Sequence, residues 1–270
     1  MDSRKEMKAH PTAVIHEATR IGKDVVVGAY AVIEDGVEIG DGCLIREHAV
    51  IRSGTILGTG CVVDSHVVLG GLPQDLGFSP ATPSGVRVGN HVTFREGVTI
   101  NRASREGAFT EIGDHCFLMA NSHMGHDCRL GSRVILANGV LLAGHVSVGS
   151  FTFIGGNAGV HQFIRIGESA MVGGMGRVSE DMPPYCLMAE RNELKGLNLI
   201  GLQRRGFDRE TIKELKKLFH LIFDVPGRPR ILAEGALKDG VAQSEQGRQF
   251  LEFIAAESKK LVMRPEREPR

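Results

Sequence analysis

Ala13-Val14-Ile15-His16-Glu17-Ala18-Thr19-Arg20-Ile21-Gly22-Lys23-Asp24-Val25-Val26-Val27-Gly28 sets a beat that the chain keeps as far as Leu69. Large aliphatic residues stand at Ile15, Ile21, Val27, Ile33, Ile39, Ile45, Ile51, Leu57, Val63 and Leu69. Two places before each sits a smaller side chain, from Ala13 and Thr19 to Cys61 and Val67. A period of six matches neither the 3.6 of a helix nor the alternation of a long strand, but it suits very short strands joined by turns. Three such sides close an 18-residue triangular coil, and coils stack like strands in a sheet, about 4.8 Å apart. A parallel β-helix is expected, with the aliphatic residue filling each corner and Gly, Asn and Asp taking turn conformations with positive φ.

Working outward, the register resumes at Val88, Phe94 and Ile100 and runs from Ile112 to Val178. Two insertions break it, at about 71–85, with Pro73, Pro80 and Pro83, and at 101–110. Loops leaving a rigid solenoid are where function concentrates. The hexads stop after about Pro184, and residues 1–190 are read as the solenoid and 191–270 as a small α-helical C-terminal domain. There Asp208 can cap a helix carrying Ile212, Leu215, Leu218, Phe219, Ile222 and Phe223, with Pro226 and Pro229 ending it. A further helix is expected around Phe250, Leu251, Phe253 and Ile254.

Composition narrows the function. Lys plus Arg equals Asp plus Glu at 32 each, so no basic field favours nucleic acid or anionic lipid. The charged start MDSRKEMKAH leads into no apolar run, and the stretch Val134–Val148 is too short and too interrupted to cross a bilayer. A soluble, cytoplasmic protein is expected. Five cysteines without a CxxC pair argue against a disulfide framework or a zinc finger. Cys43, Cys61, Cys116 and Cys128 fall on the small inward position and are read as packing residues.

Because positions 18 apart are vertical neighbours, His126 stacks under Gly144 and Gly144 under Gln162. The segments around His123, His126, His145 and His161 therefore form a ladder on one edge. Histidine exchanges a proton near neutral pH, and a backbone N–H beside it can hold an oxyanion, a combination suited to acyl transfer. Two other readings stand beside it. His145 occupies a turn offset shared with His48, His66, His91 and His115, and imidazoles from neighbouring coils can converge on zinc.

The motifs His123-Met124-Gly125-His126-Asp127-Cys128, Leu142-Ala143-Gly144-His145-Val146, Gly159-Val160-His161-Gln162-Phe163, Asp181-Met182-Pro183-Pro184-Tyr185 and Gly201-Leu202-Gln203-Arg204-Arg205-Gly206-Phe207 resemble the UDP-N-acetylglucosamine O-acyltransferases that open lipid A biosynthesis. The resemblance covers nearly the whole chain. It implies a left-handed parallel β-helix assembled as a homotrimer, with sites between solenoids. It implies His126 as general base on the sugar 3-hydroxyl, Asp127 orienting it, and the Gly144 N–H as oxyanion donor. By the same resemblance His123, His145, His161 and Gln162 hold the acceptor, and Asp75 contacts the sugar. Asn198, Arg204 and Arg205 meet the nucleotide or the carrier. The acyl donor arrives on the phosphopantetheine of acyl carrier protein, with neither a metal nor another cofactor. Gly156 and Gly174, stacked above Asn138, suggest a shallow groove for the alkyl chain, its distal end at Gly174.

Three departures from the pattern bear on the acceptor. Gly77 stands where a Lys is usual, Ala189-Glu190-Arg191-Asn192 replaces a Gly-Asn element, and Ile200 replaces an acidic residue. A 3-amino UDP-sugar is the alternative acceptor, and Arg87 or Arg95 are candidates to supply the missing cation. An acetyltransferase using acetyl-CoA, a zinc γ-carbonic-anhydrase-like protein and a silent partner-binding solenoid are the rival functions.

Overall fold

The computed structural model describes residues 7–265. Short strands, mostly of two residues, recur from Lys8–Ala9 to Glu193–Leu197 and stack into three sheets, the A, B and C faces of a prism, with 11, nine and eight strands. Neighbouring strands of a face are parallel and 18 residues apart, as in Val26 with Leu44 and Leu44 with Val62. Each coil visits A, B and C in turn, the parallel β-helix expected from the hexads with the left hand that the resemblance implied. The insertions preserve the stacking. Val62 pairs with Thr93, 31 residues on, and Thr99 with His123, 24 on, so the extra residues loop out while the next rung lands in register.

Both inward positions of the hexad are buried, the aliphatic ones such as Ile45, Ile51 and Leu136 together with the smaller Ala31, Cys43, Cys61, Cys116 and Cys128. Burial pushes the Cys116 and Cys128 thiols up, to about 11 and about 12, as suits packing residues. The glycine after each aliphatic departs from expectation. At Gly22, Gly28, Gly40 and Gly58 it does not take positive φ, Gly70 at 81° being an exception; it is small because the next coil lies against it. A Cβ on Gly40 would stand 2.6 Å from the Gly58 carbonyl carbon. Positive φ falls instead three residues after the aliphatic, at Asp24, Tyr30, His48, His66 and His145 among others. Side chains at that offset stack coil upon coil, with Tyr30, His48 and His66 at 5.1 Å between ring centroids.

The A face ends in an antiparallel pair, Cys186–Ala189 with Glu193–Leu197, and four helices follow. These are α1 (Leu199–Arg204), α2 (Arg209–Phe223), α3 (Pro229–Lys238) and α4 (Glu245–Ala255). Asp208 caps α2 by accepting the Thr211 N–H at 2.7 Å, as the sequence suggested. Pro229 opens α3, where its fixed φ and missing N–H are harmless, and is no mere stop. The helices are pinned to the last coil by Tyr185, whose hydroxyl meets Gln249 Oε1 at 2.5 Å, and by Arg165. That arginine spans buried Asp181 at 2.8 Å and the Phe253 carbonyl at 3.2 Å. Among the described residues no helix is long and apolar enough to cross a membrane.

Candidate active site

A cleft of about 1090 Å³ runs up the B face. Its floor is made by strand residues on successive rungs, Thr99, His123, Leu141, Gly159 and Arg177, and one wall by the B-to-C turn, where His126, Gly144 and Gln162 stack. Gln74 reaches in from the first insertion.

Asp127 holds the left-handed turn position with φ 59°, which turns its carboxylate back toward its neighbour. Asp127 Oδ2 lies 2.7 Å from His126 Nδ1. Ser104, from the second insertion, donates its hydroxyl at 2.6 Å and its N–H at 3.2 Å to the same carboxylate. Burial alone would raise the Asp127 pKa, but the bonds from Ser104 and His126 outweigh it and hold the carboxyl below its usual range. An ionised carboxylate only accepts, so His126 Nδ1 is the N–H and Nε2 carries the lone pair. Nε2 lies over Gly144, where a Cβ would stand 2.7 Å from it, so only glycine admits the ring.

Among the described residues the Gly144 amide donates no hydrogen bond. At the C-to-A corner the amide at this offset bonds the side chain above, as Lys23 N–H does Asp41 and Asn90 N–H does Asp114. Above Gly144 stands Gln162, which provides no such bond among the described residues. An imidazole lone pair and an unfilled N–H donor thus face one cleft. Thr99 Oγ1 and His123 Nδ1 are 2.8 Å apart below them, and burial lowers the His123 pKa. His145 stacks on Phe163 at 4.6 Å, edge-on to His126, and burial likewise lowers its pKa.

Residues 181–262 match the family described as UDP N-acetylglucosamine O-acyltransferase, domain 2, and residues 18–53 and 109–144 match the bacterial transferase hexapeptide. A UDP-N-acetylglucosamine O-acyltransferase of Thermodesulfovibrio yellowstonii is 42% identical over 252 residues, 92% of this chain and 96% of its own length. One from Campylobacter concisus is 41% identical over 218 residues, 80% and 82% of the two chains. The solved UDP-N-acetylglucosamine acyltransferase from Campylobacter jejuni is 37% identical, with TM-score 0.89 over 96% of this chain and 100% of that one. The chain belongs to the UDP-N-acetylglucosamine O-acyltransferase family.

In this acyltransferase fold the cleft gathers His123, His126, Gly144, His161 and Gln162. The other residues singled out from the sequence lie elsewhere. Asp75 turns back on its own loop, accepting the Gly77 N–H at 2.9 Å. Asn198 caps α1 and donates to the Ser169 carbonyl at 3.0 Å. Arg205 bonds Glu168 at 2.7 Å and lies over the Phe151 ring at 3.7 Å. Ser169 and Phe151 belong to the C-to-A corner, the one corner of the prism that does not border the B face. Arg204, at the end of α1, is exposed. Gly156 and Gly174 lie on the A-to-B corner, across the B face from His126, and a Cβ at either would meet nothing nearer than 3.4 Å. Neither Arg87 nor Arg95 reaches the cleft; Arg95 pairs with Asp64 and Glu96, at 2.8 and 2.9 Å.

His126, Asp127 and His145 present donor atoms within 4.8 Å of one another, so a metal has to be considered. Ligands on one tetrahedral zinc stand about 3.3 Å apart, given bonds of about 2.0–2.1 Å. The His126 Nδ1 to Asp127 Oδ2 separation of 2.7 Å is a hydrogen bond instead. Sequence reading missed Ser104, Thr99 and Phe163. No sequence count finds Ser104, because the 24-residue step across the second insertion would put Ala103 below Asp127.

Proposed function

We propose that this chain transfers a 3-hydroxyacyl group from acyl carrier protein to the 3-hydroxyl of a UDP-N-acetylglucosamine-type sugar, opening lipid A synthesis in the cytoplasm. The observation that carries the reading is the Asp127-oriented His126 with its lone pair beside the unfilled Gly144 N–H. His126 Nε2 takes the proton of the sugar hydroxyl as its oxygen attacks the thioester carbonyl. The Gly144 amide holds the oxyanion of the tetrahedral intermediate. Collapse breaks the carbon–sulfur bond, and the proton on Nε2 leaves with the pantetheine thiolate. Asp127 stays ionised, fixing the tautomer and steadying the imidazolium. In this reading His123, His161 and Gln162, which line the same cleft, bind the acceptor, and no step calls for a metal or a resident cofactor.

A homotrimer suits the placement of the C-terminal residues. Asn198, Arg204 and Arg205 sit at or near the corner opposite their own cleft, so any contact with substrate would be made in the cleft of another copy. The test is mass spectrometry of product formed from a 3-hydroxyacyl carrier protein and a panel of UDP-sugars. An ester at the 3-position is expected. Acylation of a 3-amino sugar alone would replace the acceptor, and absence of thioester consumption with any sugar would overturn the reading.

A further inference from the structure

The cleft that holds His126 is lined by two arginines, Arg177 and Arg191, and by no carboxylate. Arg177 lies on the last B-face strand, and Arg191 in the turn between the last two A-face strands. The two are parallel β-bridge partners, joined through the Arg177 N–H to the Glu190 carbonyl at 2.7 Å, which puts their backbones on adjacent rungs about 5 Å apart. Both side chains are exposed, and no acid lies within ion-pairing distance of either among the described residues. Arg191 also lines an adjoining cavity of about 830 Å³, whose lining includes further cations and a single carboxylate, Glu180. From that side Lys260 Nζ comes within 3.3 Å of His161 Nδ1. Like charges on neighbouring rungs repel, and among the described residues no carboxylate pairs with either.

We infer that Arg177 and Arg191 form a phosphate-binding pair at the C-terminal end of the cleft, with Lys260 at its rim. Guanidinium groups grip phosphate oxygens by paired N–H donors, and two on consecutive rungs present a fork to a diphosphate or a phosphodiester. The site deepens the proposed acyl transfer, and rests on it only for the source of the phosphate. That source is either the diphosphate of the sugar nucleotide or the phosphate of the carrier's phosphopantetheine.

Arg177→Gln and Arg191→Gln, singly and together, test the pair, with Arg→Lys at both positions as the charge-keeping control. Calorimetric titration of the full-length protein with UDP and with 4′-phosphopantetheine reads binding directly and needs no turnover. The double Gln variant is expected to lose ~10- to 100-fold in affinity for one of the two probes, with partial recovery in the double Lys variant. Equal affinities in wild type and double variant, or no binding of either probe to the wild type, overturn the site. In steady-state kinetics a raised KM for the UDP-sugar with little change in kcat assigns the diphosphate, and a raised KM for the acyl carrier assigns the pantetheine phosphate. Unchanged values of both overturn the role in catalysis. A wild-type chain that transfers no acyl group would sink the proposed function while leaving the calorimetric result to stand or fall by itself.

Discussion

His126 and Gly144 are vertical neighbours whose contact leaves no room for a methyl group. Gly144→Ala should therefore fold, displace the imidazole, and lose about 10² or more in kcat, near the ~10² to 10⁴ expected for His126→Ala. Rates within threefold of wild type from a folded Gly144→Ala protein would mean the ring works from another position. His123 links the site to stability. Burial lowers its pKa, so as pH falls below roughly 6.5 the unfolded chain takes the proton first. Stability is then lost until the pH passes the lowered value in the folded state. His145 acts in the same sense. The Asp127 carboxyl titrates only below roughly 3.9, outside this window. The thermal midpoint should drop between about pH 7.5 and pH 5.5, and less steeply in His123→Gln. An identical slope in the variant would place the titrating groups elsewhere.

At the scale of the coil, two kinds of glycine behave differently. A Cβ on Gly155 would lie 2.5 Å from the Gly174 amide nitrogen, whereas one on Gly156 or Gly174 would be at ordinary contact distance or beyond. Gly155→Ala should destabilise by about 1–3 kcal/mol, and Gly156→Ala by much less. Denaturant midpoints of the two variants measure the difference, and equal losses would refute the assignment. The open path over Gly156 and Gly174 is where an alkyl chain is proposed to lie. Gly174→Met should shift preference toward shorter acyl carriers, by about fourfold per lost methylene at ~0.8 kcal/mol each. Rates across a chain-length series check it. An unchanged optimum would leave Gly174 with a purely geometric role.

For the whole molecule, the distance between the C-terminal residues and their own cleft is a statement about assembly. Light scattering should report three copies of the 29.2 kDa chain. If each site joins His126 of one copy with Arg204 of the next, co-refolding equal amounts of His126→Ala and Arg204→Ala chains makes about a quarter of the sites intact by random mixing. Activity near that fraction is expected where each variant alone is nearly inactive. Activity no higher than the mean of the separate variants would put both residues to work within one chain.

Hexad periodicity determined much by itself. With side chains alternating in and out along two-residue strands, one count of six fixes which residues are buried, and one of 18 fixes which lie above one another. The solenoid, the buried cysteines and the stacking of His126, Gly144 and Gln162 follow from that count, and the motifs carried the family. The C-terminal helices were only half legible. α2 and α4 have clear apolar stripes, whereas α1 is short and α3 begins at a proline that reads equally as a stop. Tertiary structure alone decided that Ser104 clamps Asp127, because the link depends on how an inserted loop folds back across 23 residues. It alone also separated the glycines that are small because the next coil presses on them from those that border open space. That Arg177 and Arg191 have no ion-pair partner among the described residues is likewise invisible in a neutral composition. Charges in a sequence sum to zero whether or not each finds a partner, and only the fold brings two arginines to one cleft and leaves the carboxylates outside it.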